Sequence, residues 1–286
     1  MMKALFTVFG LWLLTVTVQA ALPDWQAPRG LEDPHLGQVL DTATGEWLAP
    51  GQLLERLLEA PYVLVGEKHD NPDHHALQLW LLEQLQARRP QGALVMEMLG
   101  PQQQAAVDEQ QGRMLPEDAA LVQALDWNPG WDWQHYGPLV RWGLAVPQRL
   151  LAANLGRDEM SALYRQPQPL SEVYRGETRE ALAQIMRESH CHKLPETQVP
   201  AMLAIQQGRD QRMAEVLQAA PTPALLLAGG YHVRKDLGVP LHWAGATAPR
   251  VLMLVEAGSA LPDEAQADYV WLTPATEEQD YCAGIS

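Results

Sequence analysis

Tyr62-Val63-Leu64-Val65-Gly66-Glu67-Lys68-His69 is a short apolar run that breaks at a glycine and reaches a histidine. Far downstream, Leu225-Leu226-Leu227-Ala228-Gly229-Gly230-Tyr231-His232 repeats the plan. Each run has the length and apolar content of a strand buried on both faces, so together they predict a covered, largely parallel sheet. Ligands of such sheets lie beyond the carboxyl ends of the strands, which is where both histidines fall. His69, His232 and Glu67 are therefore expected to share one pocket.

The flanking sequence extends this into a mixed α/β fold with helices packed on the sheet. Gln38 to Thr42 and Glu46 to Leu48 read as a small hairpin around Thr44-Gly45, and Gln52 to Leu58 as a helix leading into the first core strand. After His69, Asn71 is placed to cap a helix whose first position is Pro72, with Leu77, Trp80, Leu81, Leu82 and Leu85 as its apolar stripe. Gly92 to Met96 is a second strand that delivers Glu97. The length of the crossover suits a βαβ unit with these two strands as parallel neighbours. Leu150 to Ala153 is a third strand ending at Asn154, and strands return at 224–228, 250–255 and 269–272. Residues 101–147 and 158–217 are helical and polar and read as an inserted cap.

Composition bounds the function. Met1-Met2-Lys3, the apolar stretch to Val18 and the small residues around Ala20 have the form of a cleaved export signal, so residues 21–286 are expected as one mature, soluble periplasmic domain. The apolar stretch is shorter than the roughly 20 residues that span a bilayer. A net charge of -15 argues against nucleic acid, because affinity for phosphate backbones comes chiefly from lysine and arginine. Two cysteines, Cys191 and Cys282, exclude a disulfide scaffold and leave one bridge open.

Glu67, His69, Glu97, Asn154 and His232 thus stand at strand ends, polar where the runs before them are apolar. Two histidines and two carboxylates suit a divalent metal ion, and the same groups suit acid-base work without one. The competing reading is that Glu67 and His69 cap the next helix while Glu97 pairs with Lys68. His74 and His75, in the first turn of a helix, read as a solvated face. His190-Cys191-His192 reads as an ordinary loop. Trp127, Trp131, Trp133 and Tyr136 read as core first and as a stacking platform for a flat ligand second.

Gly66 to Asn71, and Gly229 through His232, Arg234 and Lys235 to Pro240, resemble the two signature segments of the ChaN-type haem-binding family within the Tiki-like superfamily. Trp127 to Tyr136, Ala152 to Leu155, His190-Cys191 and Gln206 to Met213 lie between them in the expected order. The resemblance implies a bacterial iron-uptake protein that binds haem, with two haems face to face between the protomers of a homodimer, and that meets haem-transport components. It implies a tyrosine on iron, for which Tyr136 and Tyr231 are the candidates, and Lys68, Arg234 and Lys235 as partners of the propionates. Tyr231 stands where the family segment carries glycine. Relatives in the wider superfamily are metal-dependent hydrolases, which would assign His69 and His232 to a metal and Glu67 or Glu97 to general-base work.

Overall fold

A computed structural model describes residues 21–283, so the segment read as an export signal lies outside the described residues. In chain order the elements are β1 (Val39–Asp41), β2 (Glu46–Leu48), α1 (Pro50–Leu57), β3 (Tyr62–Glu67), α2 (Pro72–Arg88), β4 (Ala93–Met96), α3 (Gln104–Gln110), α4 (Asp118–Ala124), α5 (Trp133–Ala145) and β5 (Arg149–Ala152). They continue with α6 (Arg157–Arg165), α7 (Glu177–Ser189), α8 (Val199–Ala219), β6 (Ala224–Gly229), α9 (Gly230–Val233), β7 (Arg250–Glu256) and β8 (Tyr269–Thr273).

The strands form one sheet in the order β2-β1-β8-β7-β3-β6-β4-β5, parallel except at β1, which pairs antiparallel with both β2 and β8. The two opening runs are direct neighbours, with Gly66 opposite Ala228 and Glu67 opposite Gly229. This register brings both Gly-x-x-His segments to one point on the carboxyl edge. The sequence reading that made β3 and β4 neighbours is corrected: β6 lies between them and pairs with both. A crossover helix returns the chain in parallel sense but does not fix how many strand positions it skips.

Alternation along the strands divides the core. Val63, Val65, Leu225, Leu227 and Leu252 face α1 and α2, and the helices of residues 101–147 join that face through Val107, Leu121 and Leu139. Leu64, Val95, Leu226 and Val251 face the other way, onto Met213, Ala214 and Leu217 of α8. The two helical segments therefore sit on opposite faces of the sheet. Leu182, Val199, Leu203 and Leu237 make a smaller cluster beneath α7. Burying each leucine of this kind contributes about 1.5–3 kcal/mol. Cys191, in the turn after α7, is disulfide-bonded to Cys282 in the carboxyl-terminal segment.

Asn71 caps α2 as expected, its side chain accepting from the Asp73 backbone N–H at 2.9 Å. The solvated reading of His74 and His75 is corrected: both are buried. They lie one turn before Gln78 and two turns before Leu81 on the covered side of α2, and polar partners inside the fold hold them there.

Candidate functional site

β3 ends on Glu67, whose carboxylate is enclosed. Oε1 accepts from the Tyr136 hydroxyl at 2.5 Å and from His69 Nδ1 at 2.9 Å, and Oε2 accepts from Gln78 Nε2 at 2.6 Å. His75 Nδ1 lies 3.3 Å from Oε2, and its Nε2 donates to the His69 carbonyl at 3.0 Å. Burial alone would push the Glu67 carboxyl up, but His75 and His69 beside it hold it well below the usual carboxylate range. Burial likewise opposes charge on His69 and His75, and Glu67 outweighs it, raising both. His74 is different. Its Nδ1 accepts from the Lys68 backbone N–H at 2.9 Å, so its proton sits on Nε2, 2.9 Å from Thr273 Oγ1. Burial pushes it down to about 3 and it stays neutral.

β4 delivers Glu97, and β6 runs through Gly229 into α9, which carries His232. The Gly229 backbone N–H donates to Glu97 Oε2 at 2.8 Å. His232 stands between two carboxylates, with Nε2 3.4 Å from Glu97 Oε1 and Nδ1 2.5 Å from Asp210 Oδ1. Against a desolvation that lowers it, Glu97 and Asp210 push His232 up to about 10. Burial would raise Glu97, yet His232 holds it down to about 2. The network continues from Asp210 Oδ2, which accepts from the Tyr174 hydroxyl at 3.2 Å, and the Tyr174 oxygen lies 2.7 Å from His242 Nε2.

The two networks meet at Gly229. A Cβ there would lie 2.8 Å from His69 Nε2 and 3.6 Å from Glu97 Oε2, so only glycine lets the strand end approach the imidazole this closely. Four of the residues expected to share a pocket, Glu67, His69, Glu97 and His232, are therefore assembled at the carboxyl edge. They bond to one another rather than leaving an open ring of donors. Among the described residues, no three His, Cys, Asp or Glu side chains are arranged to hold a metal ion. Asn154 serves the backbone, its side-chain amide donating to the Glu97 carbonyl at 2.8 Å.

The two candidate tyrosines differ sharply. Tyr136 is 1% exposed, and burial together with Glu67 pushes its phenol well above the ordinary range. Tyr231, on the first turn of α9, is 50% exposed. His69 also reaches solvent, with 41% of its side chain exposed and its edge against Trp131, ring centroids 4.9 Å apart. Trp127 is core, while Trp131 and Trp133 are half-buried at its margin.

Each candidate cation has an internal partner. Lys68 Nζ bonds both oxygens of Glu256 at 3.1 Å and the Thr276 hydroxyl at 2.6 Å, so it does not pair with Glu97. Arg234 makes a forked pair with Asp236, and Lys235 lies 3.2 Å from Asp268. Asp268 also accepts from the Val251 backbone N–H, which puts Lys235 near the amino end of β7, away from the histidines. Residues not assigned to the site from sequence also build it: His75, Gln78, Asp210 and Tyr174. His75 and Gln78 carried a signal, because they continue the buried stripe of α2 with polar groups. Asp210 lies in the Gln206 to Met213 segment that carries the resemblance, though with no role attached, and Tyr174 carried no signal, since its partners are remote in the chain.

A family profile described as haem-binding uptake, Tiki superfamily, ChaN matches residues 53–242. Among solved structures, ChaN of Campylobacter jejuni, described as binding haem cofacially, is similar with a TM-score of 0.74 and 30% sequence identity. The match covers 82% of this chain and 95% of that one. An erythromycin esterase mutant in its open conformation is more distant, with a TM-score of 0.46 and 15% identity over 73% of each chain. No curated protein matches the chain. With the profile spanning well over half of its residues, the chain belongs to the haem-binding uptake family of ChaN type within the Tiki superfamily.

Proposed function

We propose that this protein is a periplasmic haem-binding component of bacterial iron uptake, non-catalytic, that carries haem on the ledge formed by the carboxyl ends of β3 and β6. Family membership is the observation that carries the reading. At the residue level it is supported by two donors that solvent reaches on this ledge, Tyr231 and His69. Phenolate and imidazole are both established types of haem ligand, so the donor chemistry fits.

In this reading Tyr231 holds the iron, because Tyr136 is enclosed and its hydroxyl is committed to Glu67. His69 presents Nε2 to the ligand face, and its bond through Nδ1 to Glu67 fixes the ring and raises its basicity. Lys68 and Arg234 are the propionate partners, exchanging their present carboxylates for the ligand's. The cofacial binding described for the Campylobacter protein supports two copies enclosing two haems, with transfer to transport components. Haemin titration of the purified protein tests the proposal. A saturable Soret shift that Tyr231→Phe weakens supports it, and a shift that never saturates overturns it.

A further inference from the structure

After β8 the chain does not leave the sheet but turns across its carboxyl edge. The Thr276 backbone N–H donates to Glu256 Oε1 at 3.0 Å, and its hydroxyl takes Lys68 Nζ at 2.6 Å. Glu278 pairs with Arg29 at 2.7 Å. The Tyr281 hydroxyl then bonds Asp70, the residue next to His69, and Cys282 is disulfide-bonded to Cys191 after α7. The segment is thus fixed at one end beside β7 and at the other to the helix that packs on α8, with the His69 loop between. It lies past the part of the chain that the family profile matches.

Beyond the half-buried Thr276, residues of this segment are solvent-exposed and build no core of their own. Tyr281 is 59% exposed although its hydroxyl is engaged by Asp70, the residue that follows His69. An aromatic ring held by its polar end while its face stays open is suited to cover a planar ligand. The tether matters because without it the segment beyond Thr276 would be held by the exposed Glu278–Arg29 pair and the Tyr281–Asp70 hydrogen bond, which contribute little.

We infer that residues 276–282 form a disulfide-tethered strap that closes one side of the haem site, with Tyr281 as a haem-contacting residue. The inference rests on the haem-binding reading above. Reduction of Cys191–Cys282 takes up two electrons and two protons from an external dithiol and yields two thiols, freeing the strap. Haem would then be retained less well.

The test is the rate of haem loss to excess apomyoglobin from the haemin-loaded full chain, compared for wild type, Cys191→Ser with Cys282→Ser, and Tyr281→Ala. Both variants are expected to release haem about tenfold faster than wild type, a change worth about 1.4 kcal/mol. Tyr281→Ala leaves the disulfide in place, so its effect does not depend on how the double serine variant folds. Release from both at the wild-type rate overturns the strap while leaving haem binding intact. Failure of the wild type to load haemin overturns the haem-binding reading and the strap with it.

Discussion

Tyr136 donates its phenolic proton to Glu67 Oε1 across 2.5 Å, inside a site where neither residue meets solvent. The pair fixes His69 from behind, since the same oxygen accepts from His69 Nδ1. In the proposed reading this tyrosine positions the imidazole, and Tyr231 is the donor to iron.

Tyr136→Phe is therefore expected to cost stability and to leave the haem spectrum in place. Removing one hydrogen bond to a charged group costs about 1.5–3 kcal/mol. At this chain length that lowers the thermal midpoint by about 3–6 °C. Calorimetry of the apo-protein and a haemin titration of the same variant check both halves.

Tyr231→Phe is expected to do the opposite. The residue is exposed, so stability stays within about 0.5 kcal/mol of wild type. Haemin affinity falls about tenfold or more if its phenolate holds iron, and the ferric absorption bands move. Unaltered bands would place the iron ligand elsewhere on the ledge.

The buried His232 makes stability fall with alkaline pH. Its pKa rises from 6.5 in the unfolded chain to about 10 in the fold, where Glu97 and Asp210 face it from β4 and α8. Its contribution is complete below pH 6.5 and is lost as pH rises toward 10. Glu97 behaves conversely. Held at about 2, it contributes above pH 4.5 and loses that contribution as pH falls toward 2. Glu97 keeps its charge between pH 7 and 9, and comparison with His232→Gln isolates the share of the slope that belongs to His232. Denaturant unfolding at pH 6.5 and pH 9 is expected to differ by about 2–3 kcal/mol in wild type. His232→Gln should flatten that difference while destabilising the fold by about 3–5 kcal/mol, because two buried carboxylates lose their cation.

Gly229→Ala probes the meeting of the two networks. The added methyl would stand 2.8 Å from His69 Nε2, inside contact distance, so the imidazole must move. Overpacking of this kind costs about 1–3 kcal/mol. Because the displaced ring is a ledge residue, haemin affinity should fall along with stability. A variant that loses stability but binds haemin as wild type does would detach His69 from the ligand.

The strands were legible because β3 and β6 are unbroken apolar runs stopped by glycine, a pattern local to each segment. The convergence of His69 and His232 followed from the same pattern, since strand ends of a parallel sheet share an edge. Strand order was not legible: the connection from β3 to β4 suits adjacency and a skipped position equally, and β6 fills the gap from far along the chain. His74 and His75 were misread because histidine in a first turn normally meets water. Here Thr273 and Glu67, supplied by other elements, satisfy them inside. The Cys191–Cys282 bond and the Tyr281–Asp70 contact depend on where the terminal segment crosses the sheet, which no local pattern encodes.

The central claim is haem binding on the β3–β6 ledge, and its most direct measurement is a haemin titration of the wild-type protein followed at the Soret band beside Tyr231→Phe and His69→Ala. The account predicts a saturable shift in wild type that the Tyr231 variant loses or weakens about tenfold and the His69 variant perturbs. A wild-type protein that shows no saturable shift, or variants that titrate identically to it, would contradict the account.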